Sequence, residues 1–527
     1  MESNIPAPRA FTMGLNGYLY KYVLKTPVSF ITPTLLLLLL LGLTSDYVVY
    51  IMARYKKELA KGEEHPTLVS SKWAGHAVFT SGLTVVIAYL VLWLVHVPLF
   101  SDSGLTNAIG VGMSVILANT LLLALLHRYG RKILNVKNGS HNINPPGHRI
   151  TSRIGDNSTG HKSAYIAVFI VVTLFSLYVY YITPAGINII DLIPKSSNIL
   201  AAEAVNSSFG GDFFDRSYII VQFQSPLEYA NGSYNIGEMR TLSSIENTTL
   251  QTQGVKCVFG PSRPYGTYVS PELSGFSGNA SQEYMAQMNS FIGTNTSYAE
   301  IVFETSSLAW SSHALTVVNN LETNLNHNKE AGYSYNIGGL SEGFSNALTV
   351  TSSSFSELVP VLIIVIFFIL LMQLGSIPTP IRLILMVLAA VVIGLVLSYV
   401  VIHYIEKFPI IIFTPLFAFI TLLAVGLDYD IFMITRVREE VMKGTGEVEA
   451  IKTSVRENGA VIMTLGAVLA VTFGSLYFST LGIVQEIGLA LAVGVLVDTF
   501  IMWPFFVPAV MSFMKKYNWW PSKIGKS

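Results

Sequence analysis

The chain has 527 residues, of which 51% are apolar and 12% charged, and its 32 basic and 32 acidic side chains cancel to zero net charge. That charged share is about half the usual soluble value, so a soluble domain is excluded, and the absence of a basic excess gives no footing for nucleic-acid binding. The lone cysteine, Cys257, excludes an intrachain disulfide framework.

Hydropathy predicts nine spans of near bilayer length, read in chain order. Residues 1–26 form an outer segment that is the remnant of a third span, and no cleavable signal peptide follows from it. Spans at 27–53, 75–98 and 104–127 make a three-helix part of a first membrane repeat. A loop at 128–162 holds seven Lys/Arg against Asp156 alone, and a span at 163–182 follows. The segment 183–355 holds 14 Asp/Glu against 6 Lys/Arg. Five further spans fill 356–513, at 357–375, 380–403, 410–435, 458–480 and 484–513, before a tail at 514–527. Arg54, Lys56 and Lys57 close the first span, so this end, the basic loop and the Lys515-Lys516 tail are expected inside, and the acidic segment outside. The expected fold class is therefore a polytopic α-helical membrane protein with one extracytoplasmic α+β domain.

Within the acidic segment, Ser217–Gln224, Val255–Phe259 and Ala299–Glu304 read as strands. Ser311–Asn326 has helical apolar spacing, and Gly338-Gly339 marks a turn. The order predicts a βαββαβ split fold with one long insertion. Asn-x-Ser/Thr sequons at Asn206, Asn231, Asn247, Asn279 and Asn295 are possible glycosylation sites on that outer face. Two more, Asn138 and Asn157, fall in the loop placed inside.

The membrane part repeats itself. Adding 382 to each position from Leu15 to Glu58 reaches Leu397 to Glu440 without a gap, with 12 of 44 pairs identical. Among them Asp46-Tyr47 matches Asp428-Tyr429, Arg54 matches Arg436 and Glu58 matches Glu440. Further on, Gly75, Thr80 and Gly82 match Gly459, Thr464 and Gly466, and Gly110 in NAIGVGMSV is matched with Gly488 in QEIGLALAV. These six glycines are read as helix-packing positions.

A carboxylate inside the hydrocarbon region costs roughly 2.5–3.5 kcal/mol on insertion scales, so two at equivalent positions point to proton movement. Asp46, Tyr47, Asp428 and Tyr429 are the expected proton relay. The other polar residues of the spans have plainer readings. Asp430 points to another helix face than Asp428 and is structural or cavity-lining. Asp498, aligned with Thr120, is a structural polar contact. Glu486 and His96 lie near span ends and are solvated, and Arg54 and Arg436 anchor their helices at the interface. No metal-ligand spacing, phosphate loop or nucleophile motif occurs, so no cofactor, metal or enzyme activity is expected.

SDYVVYIMARYKKEL (45–59), VGLDYDIFMITRVREE (425–440), NGAVIMTLGAVLAVTFGS (458–475), EIGLALAVGVLVDTF (486–500) and the closing NWWP (518–521) together resemble the MmpL branch of the resistance-nodulation-division superfamily. The resemblance implies twelve spans, two outer porter domains, and export of lipids or other hydrophobic molecules driven by the proton gradient, in a cell membrane of prokaryotic, even archaeal, type. It also implies cross-helix pairs, with Asp46 facing Tyr429 and Asp428 facing Tyr47. Against that pattern the first repeat lacks two spans, most of a third and its outer domain. A second polypeptide is expected to supply them, a homo-oligomer being the alternative. Gly75, Gly82, Gly110 and Gly112 are expected to line the face awaiting that partner. Other readings are a protein-export accessory, a sterol-sensing relative, or a scaffold subunit that transports nothing.

Overall fold

The computed structural model describes residues 14–25, 32–94, 98–134, 148–183, 185–186, 208, 216–228, 234–269, 279–306, 312–327, 332–405, 410–411 and 414–521. In chain order the helices and main strands are α1 (Thr32–Ala60), α2 (Pro66–Trp93), α3 (Ser101–Lys132), α4 (His148–Gly160), α5 (Lys162–Ile182), β1 (Ser217–Phe223), α6 (Ile236–Gln251), β2 (Val255–Phe259), α7 (Asn279–Asn289), β3 (Tyr298–Thr305), α8 (Ser312–His327), β4 (Tyr333–Gly338), α9 (Leu340–Leu374), α10 (Pro378–Ile405), α11 (Thr414–Met442), α12 (Glu447–Gly474) and α13 (Gly482–Trp519). They divide into a helical unit, Met1–Pro184 with Ser353–Ser527, and a second unit, Ala185–Ser352.

In the helical unit, seven helices among the described residues are long and apolar enough to cross a membrane. The two other expected spans are α1 and α11, helices of 29 residues each that carry the Asp-Tyr dipeptides. At about 1.5 Å per residue each is some 43 Å long, enough to cross the apolar layer and project beyond it. Their ends fall on repeat-equivalent residues, Thr32 with Thr414 and Ala60 with Met442. Their inward faces also coincide. Leu36, Leu40, Leu43, Tyr47, Ile51 and Tyr55 are buried, and so are Ala418, Leu422, Val425, Tyr429, Met433 and Val437. Steps of three and four residues put each set on one stripe.

The expected basic loop at 128–162 is largely helical where it is described. α3 carries on to Lys132, and α4 lies against α12, with Gly155 beside Val455 and Asp156 paired to Lys452 at 2.9 Å. Among the described charges of this segment, Arg128, Arg131 and Lys132 on the end of α3 and Arg153 on α4 are exposed, on the polar faces of amphipathic helices.

The second unit has the βαββαβ order, with α7 as the insertion. Its four strands are arranged β2-β3-β1-β4, all neighbours antiparallel. In the central β1, Ser217, Ile219, Val221 and Phe223 are buried while the residues between them are more exposed, the period of two of a sheet covered on one face. Ile219, Val221, Val258, Ile301 and Phe303 pack on Leu242 and Ile245 of α6 and Val318 and Leu321 of α8. Beneath them Glu246 is fully buried, accepting hydrogen bonds from Ser262 N at 3.1 Å and from Ser262 Oγ. Burial pushes its carboxyl up to about 7. Among the sequons, Asn247 is half-buried in α6 and accepts from Arg263 at 2.7 Å, and Asn295 is exposed in a turn; Asn206, Asn231 and Asn138 lie outside the described residues. Asn279 opens α7, and its side chain also lies outside them.

Candidate functional site

Tyr429 donates its hydroxyl to Asp46 Oδ2 at 2.8 Å, joining α11 of the later repeat to α1 of the first. Both groups are buried, Asp46 at 7% exposure and Tyr429 at 1%. Each stripe packs within its own repeat, Leu40 of α1 against Gly110 and Leu422 of α11 against Gly494, and the Asp-Tyr dipeptides lie at mid-helix, where the Tyr429 hydroxyl reaches across to the first repeat. The reciprocal pair, Tyr47 with Asp428, involves an Asp428 side chain outside the described residues. Tyr47 is buried, and a Cβ at Gly82 of α2 would lie 3.2 Å from its hydroxyl oxygen. Gly82 is thus what lets Tyr47 approach α2.

Two turns along α1 and α11 from the aspartates, Leu39, Tyr89, Asn107, Phe417, Thr421, Phe473, Ile487 and Leu491 line a cavity with room for about one water molecule. Tyr89 and Thr421 hydroxyls are 3.1 Å apart there. Six of the eight lining residues form repeat-equivalent pairs, Leu39 with Thr421, Tyr89 with Phe473, and Asn107 with Leu491. The cavity therefore sits on the pseudo-two-fold axis between the repeats. At the other end of these helices, Arg54 pairs with Glu58 at 3.0 Å and Arg436 with Glu440 at 2.8 Å. Glu457 of α12 reaches Arg436 at 3.0 Å and Lys57 at 3.5 Å, so one carboxylate ties the two repeats together.

The six packing glycines all lie at close helix contacts, and their neighbours correct the sequence alignment. Gly75 faces Asn119 and Gly459 faces Trp503; Gly82 faces Val115 and Gly466 faces Thr499; Gly110 faces Leu40 and Gly494 faces Leu422. Each of these glycine pairs is separated by 384, and so are Asn119 and Trp503, and Val115 and Thr499. Gly488 meets the backbone oxygen of Phe473, as Gly104 meets that of Tyr89. Gly488 is therefore equivalent to Gly104, and Gly110 to Gly494. The signal was present in the sequence as Gly104-Leu105, Ala108 and Gly110-Val111 against Gly488-Leu489, Ala492 and Gly494-Val495. The contacts also overturn the partner-facing role of Gly75, Gly82 and Gly110, which are filled by side chains of this chain; Gly112 alone of the four has only Val86 nearby, at 3.8 Å.

The register and the burial bear on three polar residues. Asp498 is equivalent to Ser114, not Thr120. Glu486 is not solvated: it is 5% exposed, with both carboxylate oxygens 3.1 Å from the backbone N–H of Ile411, and its equivalent is the buried Asp102. Asp430 and Asp498 are both buried and within electrostatic reach of each other, and Asp430 is in reach of buried Arg382. Sequence reasoning passed over Arg382 because it lies one turn inside α10, where a lone basic residue reads as an interface anchor. His96 lies outside the described residues.

Among the described residues no group of His, Cys, Asp and Glu is arranged to hold a metal. The sequence matches the MMPL family over residues 9–155 and 244–526. It is 25% identical to the putative membrane protein ActII-3 of Streptomyces coelicolor over 94% of this chain and 63% of that protein. It is 33% identical to the apo-petrobactin exporter of Bacillus anthracis over 36% of this chain and 26% of that one. To the acyltrehalose exporter MmpL10 of Mycobacterium tuberculosis it is 36% identical over 20% of this chain and 10% of the relative. The chain thus spans less than two thirds of the length of each of these relatives. With the matched segments covering most of its residues, this multi-pass membrane protein belongs to the MMPL family, within the resistance-nodulation-division superfamily.

Proposed function

We propose that the chain is the proton-driven part of an exporter of lipids or other hydrophobic molecules. The observation that carries this reading is the Tyr429–Asp46 hydrogen bond across the repeat boundary. A carboxyl placed between two helices is costly as an ion and much less so once protonated. The ionised form accepts from the tyrosine hydroxyl, and the protonated form can donate to it. Gain or loss of one proton therefore changes how strongly α1 and α11 hold each other. One proton moving down a membrane potential supplies roughly 2.3 kcal/mol per 100 mV, which can rock one repeat against the other. The polar lining of Tyr89, Thr421 and Asn107 is the entry point, on the side opposite Arg54 and Arg436, and those arginines mark the cytoplasmic end. The acidic α+β unit is then extracytoplasmic and porter-like. Relatives named as exporters of acyltrehalose and of apo-petrobactin support a lipid-like or amphipathic cargo.

The chain also makes up one part of a larger assembly in this reading. The chain covers under two thirds of the length of its relatives, and in this reading the remaining helices and a second porter domain are supplied by a second polypeptide.

The test is proton entry into proteoliposomes of host lipid, followed by an enclosed pH-sensitive dye under an imposed potential. Wild-type protein, purified from its native membrane together with any polypeptide bound to it, is expected to acidify the lumen, and Asp46→Asn and Asp428→Asn to stop this while still inserting. Wild-type acidification by either variant would defeat the relay, and a silent wild type would favour a scaffold role.

A further inference from the structure

The two repeats share the Asp-Tyr dipeptide but differ sharply beside it. In the first, Thr44 and Ser114 share a neutral hydrogen bond at 3.0 Å, and Val48 lies one turn on. The equivalent positions in the later repeat are Gly426, Asp498 and Asp430. Gly426 has lost its side chain, and a Cβ there would sit 3.0 Å from Asp498 Oδ2. The space of a threonine is thus given to a carboxylate. Asp430 is 2% exposed, Asp498 6% and Arg382 6%. Neither oxygen of Asp430 has a hydrogen-bond partner among the described residues, nor do Nε and Nη2 of Arg382. Arg382 Nη1 is 3.4 Å from Asn518 Oδ1, and the Asn518 carbonyl accepts from Ser376 at 2.5 Å and Thr379 at 2.7 Å. Polar groups therefore run from mid-bundle to the N-terminal end of α10 in the later repeat.

The charges do not balance. Two buried acids face one buried base, and an uncompensated ion in a low-dielectric interior costs several kcal/mol. One proton shared by the acids brings the set to neutrality. Buried polar atoms left unmatched by protein groups are the usual place for water, the medium through which a proton moves on.

We propose that Asp430 and Asp498 hold one exchangeable proton between them, set against Arg382, and that this pair is the next station for protons leaving the Asp46–Tyr429 pair. The step rests on the relay reading above. The O–H bond on one carboxyl breaks as a neighbouring water takes the proton, and the pair is refilled from the relay side. The charged groups facing the pair are Arg382 from α10 and each carboxylate from the other's helix, with Asn518 beyond. The first repeat, with Val48 and Ser114, has no such station, so the exit is one-sided.

Infrared spectroscopy of the purified protein in lipid nanodiscs, together with the proteoliposome acidification assay, tests this. Wild type should show a carbonyl band of a protonated, buried carboxyl that remains in Asp46→Asn. Asp430→Asn and Asp498→Asn should each abolish that same band, since either leaves one acid against one base, and Arg382→Gln should strengthen it. The double variant Gly426→Thr with Asp498→Ser recreates the Thr44–Ser114 arrangement that the fold already accepts. It should purify normally and lower proton entry at least about tenfold, whereas Asp430→Glu should keep entry with a displaced pH profile. If the band is missing from wild type, or survives both single Asn variants while proton entry is untouched, the shared-proton pair is wrong. If instead Asp46→Asn conducts normally while the pair variants do not, the relay is what fails.

Discussion

Tyr429 and Asp46, 383 positions apart, are joined by a hydrogen bond of 2.8 Å that crosses between the repeats. Each therefore reports on the other's helix. Removing the hydroxyl in Tyr429→Phe leaves a buried carboxylate short of a donor, at a cost of about 1–3 kcal/mol. The expected outcome is slower proton entry, measured in the same proteoliposomes. Asp46→Asn should instead remove the pH response altogether.

Gly104 and Gly488 hold their helices against the backbone of the preceding span, and a Cβ would come within 2.5 Å of Trp93 N and 2.8 Å of Phe473 O respectively. Backbone cannot turn aside as a side chain can. Gly104→Ala and Gly488→Ala are each expected to destabilise by about 1–3 kcal/mol, seen as a lower midpoint in thermal unfolding of detergent-held protein. Gly112→Ala, with only Val86 at 3.8 Å, should be neutral or slightly stabilising. The opposite ranking would undo the 384-residue register.

Glu246 gives the α+β unit a pH dependence of known sign. Its carboxyl is raised from 4.5 to about 7 by burial, so the folded state holds a proton that the unfolded state releases first. The stabilising effect is complete below about 4.5 and is lost as pH rises through 7, amounting to about 3 kcal/mol in all. Amide protection factors in residues 236–262 of the intact protein, taken against the intrinsic base-catalysed rate, should therefore be larger at pH 5 than at pH 8. Glu246→Gln should flatten this difference, because Ser262 Oγ can turn to accept from the amide while Ser262 N still donates to it.

Gentle purification from the native membrane is expected to bring down, in equal amount, a polypeptide with about three spans and an acidic outer domain resembling residues 183–355. Such a chain would restore the pseudo-two-fold bundle around α1, α2 and α3. A preparation of this chain alone that acidifies proteoliposomes at the native rate would point to a homo-oligomer.

Composition and periodicity alone determined the membrane class, the repeat through Glu58 and Glu440, the Asp-Tyr dipeptides and the strands of the α+β unit. These are signals carried by long windows or by rare residues in rare places, such as an aspartate within an apolar run. The tertiary structure decided the register of the last span, because Gly104, Gly110 and Gly112 offer several alignments to Gly488 and Gly494, and the identities that favour one of them stand out only once the contacts are known. Contacts with Leu40 and Leu422, fixed by side-chain volume, select one of them. The same holds for Glu486, Asp430 and Asp498. A charge near the end of an apolar helix or beside a relay residue reads the same in sequence whether it meets water or a partner. Which it meets depends on what the neighbouring helices bring to that face: the Ile411 N–H for Glu486 and Arg382 for Asp430.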